Sequence, residues 1–134
     1  MAFDWSEYLN LAEQLSRCAD EASHRSSISR AYYFVYHLAH SRAVAKKYRR
    51  SEDETSHKSL WHYYDRNNNQ ECRTVALLGQ RLLQRRNRAD YEDTFARVNE
   101  EAVSVLLDAR RFATIIQGLP PQFPEDPPPR IQSF

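Results

Sequence analysis

Apolar positions recur along this chain every three to four residues, and nowhere do they alternate over the length of a strand. In the first such segment, Ser6 to about Ala22, the residues Tyr8, Leu11, Ala12, Leu15, Cys18, Ala19 and Ala22 fall on one helical face. Asp4 followed by Glu7 has the form of a capping pair at its start. A second helix is predicted from Ser26 to about Tyr48, with Ile28, Ala31, Val35, Leu38, Ala39 and Arg42 on one stripe. Its far end is the basic run Lys46-Lys47-Tyr48-Arg49-Arg50, which suits the negative end of the helix dipole. After a polar, acidic loop (Ser51 to Ser56), "HKSLWHYYDR" reads as a short third helix. The run Asn67-Asn68-Asn69 breaks it, and Asn68 with Glu71 can cap a fourth helix from Gln70 to about Ala89. The last helix spans about Thr94 to Gln117, where Val98, Ala102, Val105, Leu106, Ala109, Phe112, Ala113 and Ile116 give the clearest period, and Gly118 is placed to stop it.

The helix breakers agree with this pattern. All six prolines lie between Pro120 and Pro129, and the only glycines are Gly79 and Gly118. The expected fold is therefore all-α: a four- to five-helix up-and-down bundle over residues 1–118, followed by a Pro-rich extended or disordered tail, 119–134. At 134 residues the chain is one domain and long enough to bury a core without staples.

Composition adds exclusions more than assignments. The formal net charge is +1, so bulk charge gives no argument for a nucleic-acid partner, and only local clustering does. Sixteen of the nineteen basic residues are arginine, whose planar fork suits phosphate and carboxylate. Cys18 and Cys72 make neither a disulfide framework nor a metal spacing. No signal peptide and no apolar run of spanning length is present, so a cytoplasmic protein without membrane contact is expected.

Chemistry-bearing residues gather in three places. Tyrosine and histidine cluster in "SRAYYFVYHLAH" and again in "SHKSLWHYY", where the ordinary reading is a buried ring with a satisfied polar tip. Arg30 and His37 are seven apart and project the same way along their helix. His37 and His40 have no acidic or cysteine ligand beside them, and His57 and His62 are five apart, so neither a metal nor a cofactor is expected. The fourth helix carries five arginines and no acid from Arg73 to Arg88. Its inward stripe, Cys72, Val75, Gly79 and Leu82, ends on Arg86 where a leucine would continue it, with Gly79 placed for close helix contact. Arg81, Arg85 and Arg88 form a more exposed set, either a solvated face or a phosphate contact. Arg86 and Asp90 are four apart, so a local ion pair is available, worth about 0.2–0.5 kcal/mol.

Taken in order and spacing, "SRAYYFVYHLAHSRA", "SHKSLW" and "RNRADY" before a long final helix resemble the HEPN family (higher eukaryote and prokaryote nucleotide-binding domains). The likeness covers most of residues 6 to 117 and is nearest to the small stand-alone prokaryotic branch. It implies a helical bundle that pairs as a homodimer, often beside a nucleotidyltransferase partner. Many relatives are metal-independent ribonucleases with an Arg…His motif before the last helix, in which both side chains act on the RNA 2′-hydroxyl and the scissile phosphate.

The carry-over gives Arg86, Asn87, Asp90 and Tyr91 as the candidate cleft. Arg86-Asn87 matches the Arg-polar pair, but Tyr91 stands where the shortest motif puts histidine. Tyrosine ordinarily titrates near 10 and is a poorer general base at neutral pH than histidine. Arg17/His24, Arg30/His37 and Arg50/His57 also fit a loose Arg…His pattern, yet none precedes the last helix, and only Arg30/His37 lies in a matched segment. The resemblance thus implies a dimeric module of a toxin–antitoxin or defence-type system that binds RNA, a nucleotide or a nucleotidyltransferase, with catalysis lost or weak. The alternatives are an active ribonuclease toxin using Arg86 with Tyr91 or a histidine from elsewhere, and a structural helical adaptor.

Overall fold

A computed structural model describes residues 2–125, and among them there are five helices and no strand. They are α1 (Ser6–Ser16), α2 (Glu21–Ala45), α3 (Ser56–Asp65), α4 (Gln70–Tyr91) and α5 (Val98–Gln117). The all-α bundle expected from the periodicity is what the chain forms. α2 lies at its centre, packed against α1, α4 and α5, while α3 packs chiefly on α4. Accordingly α2 is buried on more than one face: Ile28, Ala31, Tyr32, Val35 and Ala39 are wholly enclosed, and so is Ser27. The Ser27 hydroxyl is satisfied by donating to the carbonyl of Ala12 at 2.6 Å.

The first two helices do not divide where the apolar period predicts. α1 stops at Ser16, and Cys18, Ala19 and Ala22, which continue its period, are exposed. Asp20 is the reason. Its carboxylate accepts from the Ser23 amide at 3.0 Å and the Ser23 hydroxyl at 2.8 Å, so α2 starts five residues earlier than Ser26. His24 fixes the intervening turn by donating from Nε2 to the Cys18 carbonyl at 2.6 Å.

At its other end α2 closes with Lys47 in the left-handed region (φ 66°). The Lys47 and Tyr48 amides donate back to Val44 and Ala43, and Tyr48 is buried beyond them. That is a Schellman motif in which lysine stands at the position glycine usually fills.

α3 and α4 meet through Trp61, which is fully buried. The approach is set by Gly79: a Cβ there would stand 2.5 Å from the Trp61 ring, so only glycine fits. The inward stripe read from the sequence is correct, since Cys72, Val75, Gly79 and Leu82 are all buried and Arg86 follows them, half-buried. Burying side chains such as Trp61, Leu60, Leu82 and Phe112 contributes about 1.5–3 kcal/mol each. The cap of α4 is Asn69, one residue later than Asn68; its carbonyl oxygen accepts from the Cys72 amide at 2.9 Å.

α4 runs on to Tyr91, and α5 begins only at Val98, preceded by Arg97 in the left-handed region (φ 57°). The end of α4 is held by Arg25 of α2. Its guanidinium donates to the carbonyls of Ala89 (3.0 Å), Glu92 (2.6 Å) and Asp93 (3.2 Å). These are carbonyls that a helix end and the turn after it leave without backbone partners. Thr94 to Arg97 are consequently irregular chain and turn rather than helix, with Phe95 buried beneath Arg25 and Arg88.

The start of the Pro-rich tail is not the extended segment expected: the Phe123 amide donates to the Pro120 carbonyl at 2.9 Å, so 120–123 form a turn, and the segment is docked on the bundle. Arg42 donates to the carbonyls of Leu119, Pro120 and Phe123, Pro124 is fully buried, and the Glu125 amide donates to Asn67 Oδ1 at 2.7 Å. The rest of the predicted tail, 126–134, lies outside the described residues.

Candidate functional site

Arg86 is the half-buried cation at the junction of α4 with α2. Its Nη2 donates to the Tyr33 hydroxyl at 2.8 Å and its Nη1 to Asn87 Oδ1 at 3.1 Å. Nε lies 2.8 Å from Asp90 Oδ2, but its N–H is not aimed at that oxygen, so the contact is an ion pair rather than a hydrogen bond. Asp90 is tied in turn to α2, accepting from the Ser29 hydroxyl at 3.2 Å. The guanidinium is flanked by two rings, Tyr33 at 5.2 Å and Tyr91 at 5.4 Å. Thus the structure gathers all of Arg86, Asn87, Asp90 and Tyr91. Tyr91 reaches Arg86 as the last residue of a helix that runs two residues past the expected end at Ala89, and it is 73% exposed.

The contacts extend beyond this cluster. Arg30 stands 4.9 Å from the Tyr8 ring and 5.3 Å from Tyr33, so Tyr8, Arg30, Tyr33, Arg86 and Tyr91 alternate aromatic and cation across α1, α2 and α4. Arg30 makes no ion pair among the described residues, which leaves its charge uncompensated at this surface. His37 is occupied separately, stacked face to face on Trp5 with centroids 3.4 Å apart. Burial holds its imidazole below the ordinary range, with His40 and His57 adding to the effect.

The exposed arginines of α4 part company. Arg85 turns to α5, bonding Asp108 at 2.7 Å with Glu101 at 3.6 Å. Arg88 pairs with Glu92 at 3.3 Å and covers the Phe95 ring at 4.2 Å. Arg81 alone of the three is exposed with no ion pair among the described residues.

His57 is the residue that sequence reasoning undervalued. It arrives from α3, far along the chain from Arg86, and packs against Tyr33 and Tyr36 with ring centroids 6.1 and 4.7 Å away. Its Nδ1 is 2.7 Å from the Tyr32 hydroxyl. That hydroxyl already accepts from Trp61 Nε1 at 3.2 Å, and Tyr32 is wholly buried, so its own proton goes to Nδ1. The imidazole proton is thereby assigned to Nε2, which has no protein partner among the described residues. Burial, and then the nearby Arg86 charge, hold His57 below its ordinary pKa, so at neutral pH it is a neutral N–H donor. Burial likewise pushes the Tyr32 phenol well above the usual range and fixes it as a donor.

The donors available to an anion are the Arg86 guanidinium, once parted from Asp90, the Arg30 guanidinium and the Nε2–H of His57, with Tyr91 the exposed ring beside Arg86. A histidine whose free nitrogen carries the proton has no lone pair there with which to act as a base. Cys72 offers no nucleophile either, since burial pushes its thiol up to about 11. Among the described residues no group of three histidine, cysteine or acidic side chains is placed to hold a metal ion, and no helix is long and apolar enough to cross a membrane. No protein-family model, no curated protein and no solved structure matches this chain.

Proposed function

We propose that this protein is a HEPN-like module that binds single-stranded RNA or a nucleotide through the Arg86 surface, with its hydrolytic chemistry lost or weak. The observation that carries this reading is the run of alternating cations and tyrosines from Tyr8 to Tyr91. Arginines are suited to backbone phosphates, and the exposed face of Tyr91 can stack on a base whatever its identity. The donor role of His57 supports binding over cleavage, because deprotonating a 2′-hydroxyl requires an acceptor. Of the other basic residues, Arg81 is available to extend the contact, whereas Arg85 and Arg88, like Arg86 from Asp90, would first have to leave their carboxylates. A homodimer that joins two such surfaces, with a nucleotidyltransferase as partner in a toxin–antitoxin or defence-type system, completes the proposal.

The test is direct. Purified protein is titrated with single-stranded RNA in EDTA, wild type against Arg86→Ala, and the RNA is examined for cleavage. Salt-sensitive binding that weakens at least about tenfold in the variant is expected, with the RNA intact. RNA cut in EDTA by the wild type alone would overturn the loss of catalysis. A monomer by light scattering at micromolar concentration would remove the dimer from the proposal.

A further inference from the structure

We propose that the groove between α3 and α4, next to Arg86, is a nucleobase subsite for a nucleoside monophosphate unit. The groove has a volume of about 360 Å³, within the range of small-ligand sites. Half-buried Leu83 lines it over the wholly buried Trp61, together with Gln80, Gln84 and Asn87 of α4 and with His62 and the exposed Lys58 of α3. The spacing of 80, 84 and 87 puts three carboxamides on one stripe of α4.

Three features distinguish this groove from an ordinary solvated furrow. First, the Gln80 and Gln84 carboxamides make no hydrogen bond to the protein, and Lys58 makes no ion pair, among the described residues. Secondly, the floor beneath Leu83 is rigid: the Trp61 ring is seated against Gly79 and its Nε1 is fixed on Tyr32, so only the side chains of Gln80, Gln84 and Lys58 have to be ordered on binding. Thirdly, Asn87 joins the groove to the anion site. Its Oδ1 accepts from Arg86, which aims the remaining amide N–H groups elsewhere and makes Arg86 and the groove adjoining parts of one surface.

Carboxamides present a donor and an acceptor side by side, the pattern that matches a base edge, and an apolar bottom accepts a flat ring. Lys58 adds a cation for a phosphate attached to that ring. The subsite rests on the reading of Arg86 as a nucleic-acid or nucleotide contact, and it adds what that reading lacks, discrimination between bases.

The experiment measures binding of homopolymeric A, C and U RNAs, and of the matching nucleoside 5′-monophosphates, to wild type, Arg86→Ala and the double variant Gln80→Leu/Gln84→Leu. Both glutamines line solvent, and circular dichroism verifies that the variants are folded. Wild type is expected to prefer one base by about tenfold, and the double variant to retain RNA binding with the preference reduced to within about twofold. A preference seen with free monophosphates as well identifies a mononucleotide site; one seen only with polymers identifies a position on an RNA chain. Either outcome supports the subsite. Arg86-dependent binding with no base preference, or a preference untouched in the double variant, overturns the subsite and leaves the Arg86 reading standing. If no RNA or monophosphate binds the wild type, both fall together.

Discussion

Arg25 and Arg86 cross the same interface, between α2 and α4, from opposite sides. Arg25 spends its guanidinium on three backbone carbonyls at the end of α4 and on the Glu21 carboxylate. Arg86 touches side chains only: Tyr33, Asn87, Asp90 and the ring of Tyr91. A cation bound to backbone cannot be released without opening the helix end, whereas one held by side chains can trade them for a ligand. The difference separates a structural arginine from an exchangeable one.

Removing Arg25 is the strongest way to break that distinction. Arg25→Ala should lower unfolding free energy by about 3 kcal/mol, since several charge-assisted bonds go and the carbonyls lose their partner. Urea denaturation reads the loss, and RNA affinity should stay within about twofold of wild type. For Arg86→Ala the pattern inverts: affinity falls at least about tenfold, while stability changes by only about 1 kcal/mol. Equal stability losses in the two variants would erase the contrast.

Near neutral pH the dependence comes from two histidines of α2 and α3. His57 and His37 have depressed values in the folded protein, so as pH falls the unfolded chain takes up protons first. Stability is therefore full above about pH 6.5 and declines below it, and His57→Gln should flatten the decline in urea midpoints measured from about pH 7.5 to 5.5. Wild-type midpoints that rise on acidification would contradict the burial described for these rings. The smallest effect is expected from Asp90→Asn. Releasing Arg86 from its ion pair should tighten RNA binding by about twofold in a titration at low salt, in keeping with the modest worth of such a pair.

Much of this was legible because helical period and burial coincide. The stripe Cys72, Val75, Gly79, Leu82 is the buried face of α4, and the charged residue that ends it is the centre of the candidate site. The division between α1 and α2 was not legible from period, since Cys18, Ala19 and Ala22 extend it while Asp20 forms a cap that competes locally and wins. The start of α5 was misread for a tertiary reason: the Arg25 clamp and the burial of Phe95 hold 94–97 as irregular chain and turn. His57 was undervalued for a similar reason, because sequence spacing ranks histidines along the chain and its pairing with Tyr32 comes from α3 packing across α2.

The docked tail shows how a grip can ignore spelling. Arg42 holds Leu119, Pro120 and Phe123 by their carbonyls, and every amino acid supplies that group, proline included. Apart from buried Leu119 and Pro124, and Phe123 packed against the core, side chains in this segment are therefore free to drift so long as the turn is kept, and selection should fall instead on Arg42 and Asn67, the residues that do the holding. A homologue search through the tail's own letters would miss what those two positions preserve.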